Sequence, residues 1–470
     1  MSDFIAADAP RNKPDLFSYI ARHVVAPAWA VYEHTPYLKH LKKLQVSPYR
    51  PLDDVRQEQW QRLQTMLHHA ADHVPYYRDL WRERGIEISS VRTWEDFYRL
   101  PVLEKDHIRR HGRRMLADNV PAEKLVWTKT SGSTGVSLEI AKDEASQQWK
   151  RACTVRHDMW SGWRLGERIG AVWGNPESQQ HWRLWLRNLL LQRMTFLDTL
   201  RMDEEAMRTF HSKLLREKPI ALFGHAHSLY LFAAFMKANS LDGIYPRGII
   251  STAMVLHDFE RATIEEVFGC KVTNRYGCEE VSLIACECEA HSGLHVNMDT
   301  LIVECVDGDG CPVPQGESGA VVVTDLSNMG MPIIRYRVGD VSRFLTEPCS
   351  CGRSYPRLAA VEGRIADYVR TPEGEFISGI SLTENFAMKL TGVKQLQIVQ
   401  EELDHLLFRI VRGEDWQPES EKVLGGLVQE RFGGSMRFDM EFTDSIQSET
   451  SGKFRFCISK LADKPFSPRG

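Results

Sequence analysis

The spacing of apolar residues predicts helices in the first part of the chain and alternating strands and helices later. Over Gln57–Arg84, apolar residues recur at intervals of three and four, and Pro75 ends the pattern, which indicates a helix. Ala145–Met159 is predicted to form another helix. After Pro219, short apolar runs alternate with helical segments, which is typical of layered α/β proteins. The pattern therefore predicts the α/β fold class.

Three short apolar runs after Pro219 predict strands of one sheet. They are Ile220–Phe223, Gly248–Ser251 and Lys271–Arg275. One helix is expected from Ser228, and Asp258 is expected to cap another that ends at Gly269. Ligands of such sheets bind at the carboxyl ends of the strands. The turns that follow the first and third strands, Gly224–His227 and Tyr276-Gly277, are therefore candidates for a site.

A change of pattern near Glu362-Gly363-Arg364 predicts a domain boundary. Before it, Val303–Val306 and Ala320–Thr324 are expected to be antiparallel strands. After it, a β-β-α-β domain is predicted from the segments Gln395–Gln400, His405–Val411, Ser420–Phe432 and Met436–Phe442. A chain of 470 residues is too long for one compact core. We therefore expect a large N-terminal domain of several subdomains, residues 1–362, and a small α+β domain, residues 363–470.

Two aromatic-rich segments each allow two interpretations. Residues 12–50 mix apolar positions with Lys39, Lys42 and Lys43, which suits either an interfacial membrane helix or, as we prefer, a segment packed on the large domain. Five tryptophans between Trp160 and Trp185 suit either the wall of a substrate pocket or, as we prefer, anchors of the core. Trp182–Met194 is expected to be a half-buried helix.

Composition excludes several classes of protein. The hydrophobic content of 43% is that of a folded globular chain, and a formal net charge of -4 provides no global field for nucleic acid. No apolar run of about 18 residues occurs, so no integral membrane segment is expected. The N-terminus lacks the pattern of a secretory signal, which predicts a cytoplasmic protein whose ten cysteines are thiols or metal ligands.

The stretch Trp127–Val136 has the composition of a loop that wraps a polyanion. It contains two glycines, a lysine and hydroxyl residues, whose backbone N–H groups and side chains can bind phosphate. Ser137–Ala141 can be the returning strand of a hairpin around this loop. The loop alone does not distinguish a phosphate site from an ordinary polar surface loop.

Three further motifs follow in order and complete a resemblance to a known family. They are Tyr276-Gly277-Cys278-Glu279-Glu280, Arg335-Tyr336-Arg337-Val338-Gly339-Asp340 and Ser451-Gly452-Lys453-Phe454-Arg455. With the loop, they resemble the adenylate-forming (acyl- and aryl-CoA synthetase) superfamily, in particular phenylacetate-CoA ligase-like proteins and the branch associated with capsular polysaccharide genes. The resemblance extends from about residue 60 to the C-terminus.

The resemblance implies a nucleotide site. The β- and γ-phosphates of ATP would be held by the loop residues Thr130, Ser131, Gly132, Ser133, Thr134 and Gly135. Glu280 would hold Mg²⁺, with Tyr276 and Gly277 beside the adenine. Asp340 would accept hydrogen bonds from the ribose hydroxyls, and Arg337 and Arg364 would reach nucleotide oxygens. Glu279 departs from the family pattern, which has a hydroxyl residue at this position.

The C-terminal domain would carry the catalytic cation and move. The resemblance assigns Lys453 the role of bridging the acyl carboxylate and the α-phosphate, on a domain that swings about a hinge. Ala366 occupies the usual pivot position, and Asp367 is the candidate to replace it. The loop Thr371–Ser381 also lacks the usual sequence that shapes the CoA tunnel. Adenylation is therefore better supported than transfer to CoA.

Eight of the ten cysteines lie between Cys270 and Cys351, and four residues in this region are candidates for a zinc site. Cys349 and Cys351 form a tight pair on a loop, and Cys288 with His295 can converge on it. Three thiolates and one imidazole suit a closed structural Zn²⁺ site. Cys286 and His291 are competing ligands, and free buried thiols are the alternative.

The function implied is ATP-dependent activation of a carboxylic acid as its acyl-adenylate, with release of pyrophosphate, followed by transfer to CoA. Transfer to a carrier-protein thiol or another acceptor, and a non-catalytic adenylate-binding protein, are the alternatives. Candidates for the acyl pocket are Gly224, His225 and Ala253. The sequence does not fix the oligomeric state, and a dimer is compatible with it.

Overall fold

The N-terminal segment packs on the body of the protein through its small residues. A computed structural model describes residues 11–130, 138–174, 182–199, 202–361, 368–371, 376–378, 382, 386, 389–413, 415–446 and 457–461. The first helices are α1 (Leu16–Ile20), α2 (Ala26–Tyr32) and α3 (Tyr37–Val46), with α1 and α2 joined by the π-helical turn Ala21–Val25. Buried residues of α2 and α3 share a core with the body. This agrees with the interpretation preferred for residues 12–50.

Helices α4 (Leu52–His73), α5 (Pro75–Glu83), α6 (Trp94–Tyr98) and α7 (Lys105–His111) cover one part of the large core. Pro75 ends the first pattern as predicted and begins the next helix, because its missing N–H is not needed in a first turn. The predicted hairpin follows, with strands β1 (Val126–Thr130) and β2 (Leu138–Lys142) paired antiparallel. Helix α8 (Glu144–Trp160) then begins after Asp143, whose side chain accepts the backbone N–H of Ser146.

The next part of the chain builds the layered sheets. Its elements are β3 (Ile169–Val172), α9 (Trp182–Arg187), β4 (Met194–Leu197), α10 (Glu204–Glu217), β5 (Ala221–His225), α11 (Ala226–Ala238), β6 (Gly248–Thr252), α12 (Asp258–Phe268), β7 (Val272–Cys278), β8 (Ser282–Glu287), β9 (Leu294–Val296), β10 (Leu301–Val306), β11 (Gly319–Asp325), β12 (Tyr336–Ser342) and β13 (Arg357–Leu358). One sheet has the order β13-β9-β8-β7-β6-β5-β3-β4, and another has the order β10-β11-β12.

The large sheet is parallel from β4 to β7 and antiparallel from β7 to β13. Its parallel part forms a core with α10, α11 and α12 on one face. The carboxyl ends of β5, β6 and β7 lie side by side, which brings the predicted site positions to one edge. The α/β fold class is thereby confirmed.

Two local predictions need correction. Residue His257 caps α12, and Asp258 is its first helical residue. The helix predicted over Trp182–Met194 ends two residues early: it is π-helical over Asn188–Gln192, Arg193 turns into the left-handed region at φ 53°, and Met194 begins β4. Asn188 causes this turn, because its side-chain amide binds both the backbone N–H and the carbonyl of Met194.

The preferred interpretation of the tryptophans as core anchors holds for some of them only. Trp163 is buried, and Trp173 packs its ring on Phe223 and His225. Trp182 and Trp185 are exposed on α9, so they anchor no core. Hydrophobicity alone does not show which tryptophans the tertiary structure covers.

The C-terminal part has its own hydrophobic core. Its elements are β14 (Tyr368–Arg370), β15 (Phe376–Ser378), β16 (Val393–Glu402), β17 (His405–Arg412), α13 (Glu419–Phe432), β18 (Arg437–Phe442) and β19 (Cys457–Ser459). Strands β16, β17 and β18 with α13 are the predicted β-β-α-β unit, in a sheet of order β18-β17-β16-β19. The short strands β14, β15 and β19 were not predicted, because three residues give no readable periodicity.

Candidate active site

The hairpin β1–β2 holds the two ends of the candidate phosphate loop together. Thr130, the last residue of β1, is the strand partner of Leu138, the first residue of β2. The predicted ligands Ser131, Gly132, Ser133, Thr134 and Gly135 lie outside the described residues. The structure therefore fixes the base of the loop, and the phosphate-binding role of the loop stays a prediction.

Two reciprocal hydrogen bonds join the motif at the end of β7 to the motif on β12. The hydroxyl of Tyr276 donates to Asp340 Oδ2 at 2.9 Å, and the hydroxyl of Tyr336 donates to Glu280 Oε1 at 2.8 Å. Each motif thus supplies one tyrosine and one carboxylate. This arrangement brings the predicted ribose and Mg²⁺ ligands together from two different sheets, although they lie far apart in sequence.

Glu280 is a buried carboxylate that stays ionised. Only 5% of the residue is exposed. Burial by itself would raise its pKa, but the positive charge of Lys105 and the hydrogen bond from Tyr336 outweigh burial and lower the pKa below its usual value. A buried anion of this kind is suited to bind a divalent cation.

The backbone around these carboxylates requires glycine at two positions. Tyr276-Gly277 is not the turn that we predicted: both residues lie within β7, where the pairing with β8 shifts by one residue between them. A Cβ on Gly277 would lie 2.6 Å from the carbonyl oxygen of Ser282, so no larger residue fits. Gly339, directly before Asp340, has φ 100°.

The carboxylate of Glu279, unusual at this position, pairs with a cation. Its carboxylate forms an ion pair with Lys142 Nζ at 2.5 Å, and Lys142 is the last residue of β2. Lys142 is buried, whereas about half of the Glu279 side chain is exposed. The carboxylate therefore fixes the end of the loop hairpin against the motif, a position where a hydroxyl residue would leave Lys142 without this anion.

The arginines of the second motif have different surroundings. Arg337, predicted to reach the nucleotide, pairs its Nε with Glu104 at 2.9 Å and is only partly buried. Arg335 is buried and pairs with Glu304 at 2.8 Å, and it also donates to backbone carbonyls of the segment before α7. Arg335 thus anchors β12 to the N-terminal helices, which positions Asp340.

Sequence reasoning missed Tyr336 and Lys142 as members of the site. Tyr336 lay inside a quoted motif, but a buried tyrosine between two arginines gives no signal of its partner. Lys142 lay outside every motif. Three predicted site residues, Arg364, Asp367 and Lys453, lie outside the described residues, and their roles stay predictions.

The acyl-pocket candidates lie at the carboxyl ends of β5 and β6. His225 is 1% exposed, and its ring packs against that of Trp173 at an interplanar angle of 42°, with the ring centroids 4.1 Å apart. Neither ring nitrogen has a hydrogen-bond partner within the described residues. Burial lowers the pKa of His225 to about 4, so the imidazole is neutral at pH 7. Ala253 has a left-handed backbone, φ 67°, which costs about 1 kcal/mol for a non-glycine residue.

Four residues form a second site at the antiparallel edge of the large sheet. The ligand atoms of Cys288, His295, Cys349 and Cys351 all lie within 4.8 Å of one another. Cys288 Sγ is 3.6 Å from Cys349 Sγ, and Cys351 Sγ is 3.3 Å from His295 Nε2. A zinc tetrahedron with Zn–S bonds of about 2.3 Å has edges of about 3.8 Å, so the group has the required dimensions.

The orientation of His295 also suits a metal ligand. Its Nδ1 lies 2.9 Å from the carbonyl oxygen of Tyr355, which fixes the proton on Nδ1 and leaves the Nε2 lone pair directed at the thiols. Burial lowers the pKa of His295 to about 4 and keeps the ring neutral. The competing candidates lie outside this group: Cys286 is in the core, and His291 is near Glu287.

Comparisons with known proteins agree with this architecture. Residues 369–460 match the CapK C-terminal domain family. Over 433 residues the chain is 23% identical to protein CapK of Staphylococcus aureus, covering 90% of this chain and 93% of that protein. It is 26% identical over 340 residues to a phenylacetate-coenzyme A ligase of Thermus thermophilus, covering 67% of this chain and 72% of that one.

A solved structure has the same fold. It is 2-hydroxyisobutyryl-CoA ligase in complex with 2-HIB-AMP and CoA, with 21% identity and a TM-score of 0.60 over 88% of this chain and 91% of that chain. The chain shares the fold of this ligase, and the similarities to CapK and to phenylacetate-coenzyme A ligases confirm the resemblance to the adenylate-forming superfamily that the sequence suggests. Within that superfamily, the chain is related to the phenylacetate-CoA ligase-like proteins and the CapK branch.

Proposed function

We propose that the protein uses ATP to activate a carboxylic acid as its acyl-adenylate, releases pyrophosphate, and transfers the acyl group to CoA. The observation that carries the proposal is the pair of hydrogen bonds between Tyr276 and Asp340 and between Tyr336 and Glu280. It joins the two carboxylates expected to hold ribose and metal. Relatives named phenylacetate-coenzyme A ligase support the reaction class.

The proposed roles follow from the surroundings of each residue. Tyr336 holds one oxygen of Glu280 and so orients a carboxylate that is already ionised. Asp340, oriented by Tyr276, accepts hydrogen bonds from the ribose. When bound, Mg²⁺ supplies positive charge that offsets the charge of the triphosphate. Lys453 would approach with the C-terminal domain and stabilise the charge that develops on the α-phosphate.

We also propose that Cys288, His295, Cys349 and Cys351 hold a structural Zn²⁺. Support comes from the dimensions of the group and from the lone pair of His295 that faces the thiols. All four protein ligands would close the coordination sphere, so the metal would hold the loop at Cys349 against β9 and the end of β8 without taking part in the chemistry.

Carboxylate-dependent exchange of labelled pyrophosphate into ATP tests the adenylation. A panel of aryl, aliphatic, hydroxy and amino acids is expected to give exchange with at least one class. Lys453→Ala is expected to lower that exchange about 100-fold, because one cation at the reacting phosphate is lost. Absence of exchange with every acid, under conditions where the protein binds AMP, would favour the non-catalytic adenylate-binding alternative.

Product analysis with and without CoA separates the proposed acceptor from its rivals. Formation of an acyl-CoA that needs added CoA would support the proposal. Steady AMP release that is independent of CoA, or transfer to a carrier-protein thiol, would support a non-CoA acceptor. The unusual sequence of Thr371–Ser381 is the observation that favours this second candidate.

We propose further that His225 contacts the acyl group and that the acid carries a hydrogen-bonding substituent. A buried histidine whose two ring nitrogens find no partner in the described part of the chain loses stability unless a ligand pairs with it. An apolar acyl chain would leave both nitrogens unpaired, whereas a hydroxyl or amino substituent would satisfy at least one.

Replacing His225 by phenylalanine is expected to lower the activity and to raise the stability. His225→Phe should raise the free energy of unfolding by about 1 kcal/mol, because the unpaired nitrogens are removed. It should lower kcat/KM for the preferred acid about tenfold by loss of one hydrogen bond. Chemical denaturation and pyrophosphate exchange measure the two effects.

His157 provides a matched control for this variant. It is also buried, but its Nδ1 lies 2.7 Å from the carbonyl oxygen of Cys153. His157→Phe should therefore destabilise the protein. If both histidine variants changed stability in the same direction, the proposed ligand contact of His225 would be wrong.

A further inference from the structure

The first helical segment presents an apolar face to solvent. From Leu16 to Tyr32, the exposed residues are Leu16, Tyr19, Ile20, His23, Val24, Pro27, Ala28, Val31 and Tyr32. They recur at intervals of three and four, so they share one side of the helices. Leu16 and Val31 are 79% and 73% exposed. Arg22, which carries the segment's one full charge, instead pairs with the buried Glu167 at 2.9 Å.

The opposite side of the segment is made of small residues. Ser18, Ala21, Ala26 and Ala30 are buried against the body. The usual arrangement of a surface helix places large apolar residues inside and polar residues outside. Here the large apolar residues are outside, and the small residues let the helices lie close to the body.

A second segment with exposed apolar residues lies next to the first. Trp182, Leu184, Trp185 and Leu189 are exposed on α9 and the turn after it. Two ion pairs join the segments: Arg193 with Asp15, and Arg187 with Glu33 at 3.8 Å. We call the exposed apolar side chains of both segments the apolar surface. Exposed apolar residues that are grouped on adjacent segments, unlike scattered ones, are typical of an interaction surface.

The charged side chains of residues 11–50 and 182–193 are mostly basic. Residues 11–50 contain two acidic residues, Asp15 and Glu33, and arginines neutralise both. Residues 182–193 contain no acidic residue. Exposed basic residues remain at Lys13, Lys39, Lys42, Lys43 and Arg183. The local charge is thus opposite in sign to the formal net charge of -4 of the whole chain.

We propose that the apolar surface binds the interface of an anionic lipid membrane. Four of its residues, Tyr19, Tyr32, Trp182 and Trp185, are the aromatic types that prefer the level of the lipid head groups. The basic residues complement anionic head groups. Among the described helices, none of at least 18 residues is apolar enough to span a bilayer, so the contact would lie in the membrane plane. This proposal goes beyond adenylation and does not depend on it.

Co-sedimentation of the full-length protein with lipid vesicles tests the proposal. Vesicles of phosphatidylcholine alone are compared with vesicles that contain about 30% phosphatidylglycerol. We expect binding to the anionic vesicles that weakens as salt is raised. A variant with Leu16→Ser, Val31→Ser, Trp182→Ser and Trp185→Ser should bind them at least about tenfold more weakly, because most of the inserted apolar area is lost.

A control variant with two substitutions makes the result specific. Leu215→Ser with Val423→Ser removes apolar residues that are also exposed, at 40% and 42%, but lie elsewhere, and it should bind like wild type. Thermal melting should stay unchanged in both sets, because exposed side chains are replaced. A quenching of tryptophan emission by brominated lipid that requires Trp182 and Trp185 would place these rings in the bilayer.

Three outcomes would overturn the proposal. One is absence of binding to anionic vesicles. Another is equal loss of binding in the Leu215→Ser, Val423→Ser control. The third is self-association in analytical ultracentrifugation that the four surface substitutions abolish while vesicle binding persists unchanged, which would make the apolar surface an interface between copies of this chain.

Discussion

Glu280→Gln is expected to lower carboxylate-dependent pyrophosphate exchange by a factor on the order of 10³. The substitution keeps the shape of the side chain and leaves an oxygen that can accept the hydrogen bond of Tyr336. It removes the negative charge that the surroundings of Glu280 keep ionised. The variant should also need a higher Mg²⁺ concentration for half-maximal exchange, since the charge on the proposed metal ligand is gone.

The neighbouring carboxylate provides the control for this experiment. Glu279→Gln neutralises the adjacent residue, whose carboxylate pairs with Lys142 and is partly exposed. We expect less than about a fivefold loss of exchange, in line with the small contribution of a partly exposed ion pair. A Glu280→Gln enzyme that melts at the wild-type temperature and retains exchange within threefold of wild type would contradict the assigned role of Glu280.

The second large effect is expected on stability. Purified protein should contain about one zinc ion per chain, measured by inductively coupled plasma mass spectrometry. Cys349→Ser or removal of the metal by a chelator should lower the free energy of unfolding by about 3–4 kcal/mol, because a tightly bound metal favours the folded state by mass action. Added zinc should restore the stability of the chelated wild type but not of the variant.

Cys286 provides the matched cysteine for this test. It lies on β8, two residues before Cys288, which directly follows that strand, but it is buried in the core and outside the group of four ligands. Cys286→Ala should retain the zinc ion and show a much smaller loss of stability. Protein that is metal-free after expression with zinc, and whose melting temperature a chelator does not change, would refute the proposed zinc site.

Local sequence was sufficient to predict most individual elements. Apolar spacing and turn residues predict three of these features. They are the hairpin of β1 and β2, the strands that end at His225 and Thr252, and the β-β-α-β unit of the C-terminal part. These features depend on residues that are close in sequence, so the periodicity of apolar residues predicts them. The helix cap at His257 and the end of α9 were missed because single side-chain hydrogen bonds decided them.

The candidate site was predictable as a set of motifs but not as a set of contacts. The resemblance to the adenylate-forming superfamily singled out Tyr276, Glu280 and Asp340 as candidates. No local signal predicted that Tyr336 would donate to Glu280 or that Lys142 would pair with Glu279, since each contact joins segments from different strands. For the zinc site, the sequence left Cys286 and His291 as competing ligands. Only the fold showed that they lie outside the group of four residues that converge.

The sequence alone therefore determined the fold class, the ordered motifs and the types of residue available for chemistry. The tertiary structure decided which of these residues meet and which apolar faces are covered. The segment Leu16–Tyr32 shows the difference, because its periodicity predicts two faces but does not indicate which one the body buries. Small side chains allow the close approach, so the face with Ser18 and Ala21 is buried and the large apolar residues remain exposed.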